Sequence, residues 1–351
     1  MTISDLLRLR DLTDPAEGPH AIQLVVDAIE QALAGAWRIP VRREPGHRIV
    51  SIADNYDRLH YRSDAVARDR RYSHYVDGGR MLRSHTTAGI PPLLDKLAAA
   101  VDANPADADP GVPTELLLSL PGICYRRDAI GRRHVGEPHQ LDLWRIRRCG
   151  PPLTEVDLTS MVGLVVGAVL PGHRWWMVPN THPYTLAGRE IYVGTGDDGA
   201  TAVEIGECGL AHPGVLSGAG LDAGVSGLAM GLGLDRLTML AKGIEDIRLL
   251  RSNDARVVGQ MLDLSRYRPV SAMPPARRDM SIAVADDLDT ELLGDRIRQV
   301  LGPDAEAVEE VSIRSATSYA DLPASARHRI GIRPGQRNVL LRLVLRDLSR
   351  T

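Results

Sequence analysis

A chain of 351 residues is long enough to bury a large core and predicts one big domain, residues 1–268, followed by a small one, residues 269–351. A formal net charge of -3 with 25% charged residues fits an ordinary soluble enzyme and excludes a protein that grips nucleic acid with its whole surface. The charged start MTISDLLRLRDLTDP and the lack of any uncharged run approaching about 18 residues exclude a secretion signal and a membrane-spanning helix, so a cytoplasmic protein is expected.

HAIQLVVDAIEQALAG places Ile22, Val25, Val26, Ile29 and Leu33 at helical spacing. PPLLDKLAAAV predicts a second helix with Pro91 and Pro92 in its first turn. ELLLSLPGICYRR reads as a buried strand, and in HQLDLWRI the alternation sends Leu141 and Leu143 to one face and Gln140 and Asp142 to the other. Thr154 and Asp157 open the next helix as a capping box. RWWMVP, REIYVGTG and TAVEIGECG are strand-like, the last two joined by GTGDDGA, and the glycine-rich GVSGLAMGLG leads into a helix. The fold class is α+β, a mostly antiparallel sheet flanked by helices. After the proline-marked PVSAMPPARRDM come a strand, a helix and two strands, the β-α-β-β start of a ferredoxin-like module that looks truncated.

Cys124, Cys149 and Cys208 are far apart and form no CxxC pair, which speaks against a disulfide framework or a cysteine zinc site and fits a reducing compartment. Lysine occurs only at Lys96 and Lys242, and phenylalanine is missing altogether. One reading of the second absence is a gene that can be translated while charged phenylalanine tRNA is scarce. Arg327, Arg329, Arg333, Arg337, Arg342, Arg346 and Arg350 crowd the C-terminal end, where they could meet tRNA phosphates or form a solvated basic strand.

Gln140 and Asp142 project side by side and suit an α-ammonium group, and RSHTTAG supplies His85, Thr86 and Thr87 as small donors and acceptors. Arg126 and Arg236 are isolated cations near apolar strands, for which phosphate is a natural partner. The alternative is that Arg126 pairs with a local acid and Arg236 lies on a helix surface.

LRSHTT, YRRDAIGRRHVGEPHQLDLWRI and GLAMGLGLDRLTMLAKGIEDIRLLRSND, with VEIGECGLAHPGVL between the last two, resemble the successive signature segments of phenylalanyl-tRNA synthetase, a class II aminoacyl-tRNA synthetase. The resemblance runs from about Pro19 to Asp254, and the tail from Pro274 resembles the ferredoxin-like anticodon-binding domain of the single-chain organellar enzymes. It implies activation of a phenylalanine-like amino acid with ATP and Mg²⁺ and transfer to tRNA. Residue by residue, it implies that Arg126 holds the α-phosphate, that Asp128 and His134 meet ATP, that Arg236 meets the γ-phosphate and that Glu204 carries Mg²⁺. It places His85, Thr87, Gln140 and Asp142 on the amino acid's polar end. It also implies a monomer or a homodimer paired through the first-motif region.

Family members hold the phenyl ring with an F-P-F segment, whereas this chain has His182 and Tyr184 there, above a small Ala229. Burying two such polar groups without partners would cost roughly 1 to 3 kcal/mol each, so a plain phenyl slot is not expected. The altered pocket and the short tail keep two other readings open: activation of an amino acid for a non-tRNA acceptor, and a catalytically silent paralogue.

Overall fold

The computed structural model describes residues 2–102, 113–194 and 202–349; Arg350 and the GTGDDGA turn after Gly194 lie outside the described residues. Helix α1 (Ala21–Trp37) begins at His20, whose ring nitrogen accepts from the backbone of Ile22 at 3.2 Å. Its apolar stripe, Ile22, Val25, Val26, Ile29 and Leu33, is buried as the spacing predicts. After β1 (Val41–Arg43), a ribbon of β2 (Ile49–Ser51) and β3 (Arg80–Leu82) leads to α2 (Ile90–Asp102), with both prolines in its first turn. Then follow β4 (Glu115–Ile123), β5 (His139–Arg147) and α3 (Glu155–Val169). The Thr154 backbone and hydroxyl both donate to Asp157 at 2.8 Å, as expected for the capping box.

Strands β6 (Arg174–Pro179), β7 (Thr185–Gly194), β8 (Val203–Ala211) and β9 (Ser226–Gly233) complete a seven-stranded sheet, and α4 (Leu234–Lys242) follows. The strand order is β1-β4-β5-β9-β8-β7-β6, antiparallel throughout except for the parallel β1–β4 pair. Leu141 and Leu143 join the larger core with α1, α3 and α4 on one face of the sheet, while Trp144 and Ala229 join a smaller core with α2 on the other.

In the large sheet one element differs from expectation. The glycine-rich passage is a central strand, not merely the approach to a helix, and its glycines erase the alternating pattern by which a strand is recognised. On the neighbouring strand a glycine is required by close backbone approach: a Cβ on Gly206 of β8 would lie 2.1 Å from the carbonyl oxygen of Gly231 on β9.

The C-terminal residues form a separate three-stranded sheet of β10 (Ala276–Ala285), β11 (Val308–Ser318) and β12 (Gln336–Leu345), with α5 (Thr290–Leu301) and a short helix α6 (Ala324–Ile330). The order is β10-β12-β11, all antiparallel, around a small core of Leu293, Val339 and Leu341. Helix α6 was not expected, and β10 starts inside the expected linker. Its first residues are exposed on an edge strand, where one face of hydrogen bonding suffices and no apolar pattern is needed.

This sheet leans on the loop after β4. Arg298 of α5 donates to the carbonyls of Asp128 at 2.6 Å and Ala129 at 2.8 Å, Val311 N donates to Ile130 O at 3.1 Å, and Arg132 pairs with Glu309 at 2.6 Å. A Cβ at Gly294 would stand 2.8 Å from the Asp128 carbonyl, so the helix approaches the loop as closely as a glycine allows. No helix among the described residues is long and apolar enough to cross a membrane.

Candidate active site

On the open face of the large sheet the strand register puts Asp142 of β5, Gly231 of β9 and Glu207 of β8 in one row. Gln140 stands opposite Gly233 on one side of that row, and Trp144 opposite Ala229 on the other. With no side chains on the two central glycines, this face opens into a cavity of about 450 Å³. His85, Thr87, Arg126, Asp128, His134, Gln140, Asp142, Glu204 and Arg236 all line it.

At one end lie the groups expected to meet an amino acid's polar end. Asp142 is 2% exposed, and its carboxylate accepts from Thr87 Oγ1 at 2.5 Å and from Trp144 Nε1 at 2.6 Å. Burial pushes this carboxyl up to about 7, despite the two hydrogen bonds. His85, at the edge of the short turn that carries Thr87, stacks on Tyr61 with centroids 5.6 Å apart. Its ring nitrogens are buried without a partner, and burial holds its pKa down to about 4. A neutral imidazole facing a cavity is poised to exchange a hydrogen bond with a ligand.

At the other end stand the two arginines. Arg126 follows β4, where its backbone N–H donates to Gly136 O at 2.8 Å and closes the loop into a ribbon. The nearest acid, Asp128, is 3.6 Å from Arg126 Nε, too far for a hydrogen bond, and 41% of the arginine side chain stays exposed. Arg236 is not a surface residue of its helix: from the first turn of α4 its Nη1 reaches the Glu204 carboxylate and, at 3.0 Å, the Glu204 carbonyl. Burial raises the Glu204 pKa in spite of this arginine. Among the described residues no three metal-ligating side chains cluster. Glu204 and Glu190 both line the cavity, however, and one or two carboxylates beside nucleotide phosphates are the usual donor set for Mg²⁺.

The three residues expected around the substrate side chain lie behind the wall rather than on it. Ala229 is 1% exposed beneath Trp144 and Tyr184, whose rings stack at 6.3 Å, so the room expected above it is already filled. His182 and Tyr184 are buried and turned onto Glu207: His182 Nε2 lies 2.7 Å from Oε2, and the Tyr184 hydroxyl donates to Oε1. Burial raises the Glu207 pKa, but the adjacent His182 and the Tyr184 hydroxyl outweigh it and hold the carboxylate below its ordinary range.

Glu207, Tyr61 and Trp144 were missed from the sequence. Trp144 shares the alternation of Gln140 and Asp142 and was legible. Glu207 was not, because residues three apart on a strand should face opposite ways. A register shift in the β7–β8 pairing between Ile191 and Tyr192 turns Glu204 and Glu207 to the same cavity. His139, by contrast, is fully buried: its ring accepts from Leu12 N at 3.0 Å, and its backbone N–H donates to Asp235 at 2.6 Å, tying β5 to α4.

A mostly antiparallel seven-stranded sheet flanked by helices, with a polar cavity on its open face, is the arrangement of a class II synthetase core. Residues 12–261 match the family described as tRNA synthetases class II core domain (F), and the chain belongs to that family. It is 31% identical over 252 residues to the phenylalanine--tRNA ligase alpha subunit of Lactobacillus delbrueckii subsp. bulgaricus, covering 69% of this chain and 67% of that one. It is 24% identical over 360 residues to a probable mitochondrial phenylalanine--tRNA ligase of Drosophila melanogaster, covering 86% of this chain and 72% of that one. Among solved structures, pyrrolysyl-tRNA synthetase from Desulfitobacterium hafniense aligns over 71% of this chain and 77% of its own, with TM-score 0.49 and 17% identity.

Proposed function

We propose that the protein is a ligase of the phenylalanine--tRNA type that activates an aromatic amino acid with ATP and passes the acyl group to tRNA. The observation that carries this reading is the cavity itself, with Arg126 and Arg236 at one end and His85, Thr87, Gln140 and Asp142 at the other. An amino acid held by its ammonium group at Gln140 and Asp142 directs its carboxylate toward Arg126. The carboxylate attacks the α-phosphate in line, the aminoacyl adenylate forms and pyrophosphate leaves. Arg126 faces the charge that develops on the α-phosphate, and Arg236, released from Glu204, binds the departing phosphates. Asp128 and His134 line the ATP end of the cavity. No general base is needed, because the nucleophile is already ionised and positioning dominates. Glu204, with Glu190 nearby, would hold Mg²⁺, which spreads charge on the phosphates.

In this reading residues 1–268 are the catalytic domain and residues 269–351 an anticodon-binding-like domain. Of its arginines, Arg342 is paired with Asp279, and Arg327 and Arg337 donate to backbone carbonyls, while Arg329 and Arg333 are exposed and suited to tRNA phosphates. The reading takes the enzyme to be cytoplasmic, consistent with its free thiols Cys124, Cys149 and Cys208, and to act as a monomer or homodimer. Amino-acid-dependent exchange of pyrophosphate into ATP, followed by charging of bulk tRNA, tests it. Exchange without charging would redirect the product to another acceptor, and no exchange with any aromatic amino acid would overturn the reading.

A further inference from the structure

Resting on the reading that this cavity forms an aminoacyl adenylate, we infer that its side-chain end selects an aromatic or heteroaromatic amino acid bearing a hydrogen-bond donor, such as an amino-substituted phenyl or an imidazole, and that Glu207 reads that donor.

The row Asp142–Gly231–Glu207 sets two carboxyl groups on either side of a bare glycine. A Cβ built on Gly231 would lie 3.7 Å from Asp142 Oδ2 and 3.6 Å from Glu207 Cγ. A substrate lying over Gly231 therefore touches both, yet its α-ammonium group can serve only one of them well. Asp142 is on the side of Gln140 and Thr87, where the ammonium group belongs. Glu207 is on the side of His182 and Tyr184, across Gly231 from Asp142.

An ionised carboxylate offers about four acceptor sites, of which the Tyr184 hydroxyl occupies one, while His182 Nε2 lies 2.7 Å from the other oxygen without hydrogen-bond geometry. The rest faces the cavity, where 36% of the Glu207 side chain is exposed. A phenyl ring seated there would strip water from the carboxylate and return no hydrogen bond, whereas a ring N–H or amino group would replace that water. Sites that hydrogen-bond a substrate group reject analogues lacking it far more strongly than apolar slots reject a missing methylene. Trp144 and Tyr184 stack on each other, both buried, and donate to Asp142 and Glu207 respectively, which fixes the two carboxyl groups at the cavity wall.

The test compares 4-aminophenylalanine, histidine and phenylalanine in ATP–pyrophosphate exchange with the full chain. The same three are run with Glu207→Gln, which keeps the shape, and Glu207→Leu, which removes every acceptor, after thermal melting has shown that both variants are folded. At least one donor-bearing amino acid is expected to exceed phenylalanine in kcat/KM by about tenfold or more, with the preference lost in Glu207→Leu and reduced in Glu207→Gln. Faster exchange with phenylalanine, or a preference untouched by both variants, overturns the inference and leaves adenylate formation standing. Calorimetry with the unreactive amino alcohols phenylalaninol, 4-aminophenylalaninol and histidinol separates the two claims. Tighter binding of a donor-bearing alcohol without exchange would sink the adenylate reading and keep the inference. Equal binding of all three, or binding of none, overturns it.

Discussion

Replacing Asp142 with asparagine sets the stability of this site against its chemistry. Burial lifts the Asp142 carboxyl from an ordinary 3.8 to about 7. Between about pH 4 and 7 the folded chain therefore keeps a proton that the unfolded chain has lost, and the stability this group contributes falls as pH rises through that window and is gone above it. Each pKa unit corresponds to about 1.4 kcal/mol, so moving from pH 5 to pH 8 removes about 3 kcal/mol. Asparagine carries no charge to desolvate. Its carbonyl can accept from Trp144 Nε1, and its amide can donate to Thr87 Oγ1, the two partners of the native carboxyl. Asp142→Asn should gain on the parent protein by about 1.4 kcal/mol per pH unit between pH 5 and 7 and level off by pH 8. Over that range the difference in melting temperature grows by roughly 4 °C for a chain of this length. Urea or thermal unfolding of both proteins at each pH measures it. The same variant loses the charged partner of the α-ammonium group and should drop about 10- to 100-fold in kcat/KM for amino-acid activation. A stability difference that does not change with pH would refute the claim that Asp142 is a buried, partly protonated acid.

Arg126→Ala should leave the melting temperature nearly unchanged, because the side chain makes no close bond, while lowering the exchange rate about 100- to 1000-fold. Arg298→Ala removes two bonds to the carbonyls of the ATP-side loop, so KM for ATP should rise several-fold while KM for the amino acid holds, as steady-state exchange kinetics would show. Thr154→Ala breaks the capping box of α3 and should cost about 1 kcal/mol in urea unfolding, with no effect on exchange.

The elements with strong periodicity were legible in the sequence. The α1 stripe, the β5 alternation and the Thr154 cap each follow from local rules that tertiary structure did not override. That Arg126, Arg236, Gln140 and Asp142 share one cavity was legible only because three ordered segments resembled a known family; spacing alone left Arg126 and Arg236 open to a bland alternative. Three features stayed hidden for physical reasons. Strand β9 carries Gly227, Gly231 and Gly233 among its eight residues, which blurs the alternating signal. Helix α6 is short and has no side-chain cap, and none of its residues is buried. Glu207 reaches the cavity through a pairing irregularity, which no single-strand pattern encodes, and with it went the explanation of His182 and Tyr184. Read alone, those two are polar groups lining a slot; in the fold they flank a carboxylate that faces the cavity.

The most direct test of the central claim is ATP–pyrophosphate exchange by the full chain across aromatic amino acids in the presence of Mg²⁺, with Arg126→Ala in parallel. Exchange that depends on one of these amino acids and collapses in the variant is the predicted result. A chain that binds ATP yet exchanges pyrophosphate with none of them, or a variant that exchanges as fast as the parent, would contradict it.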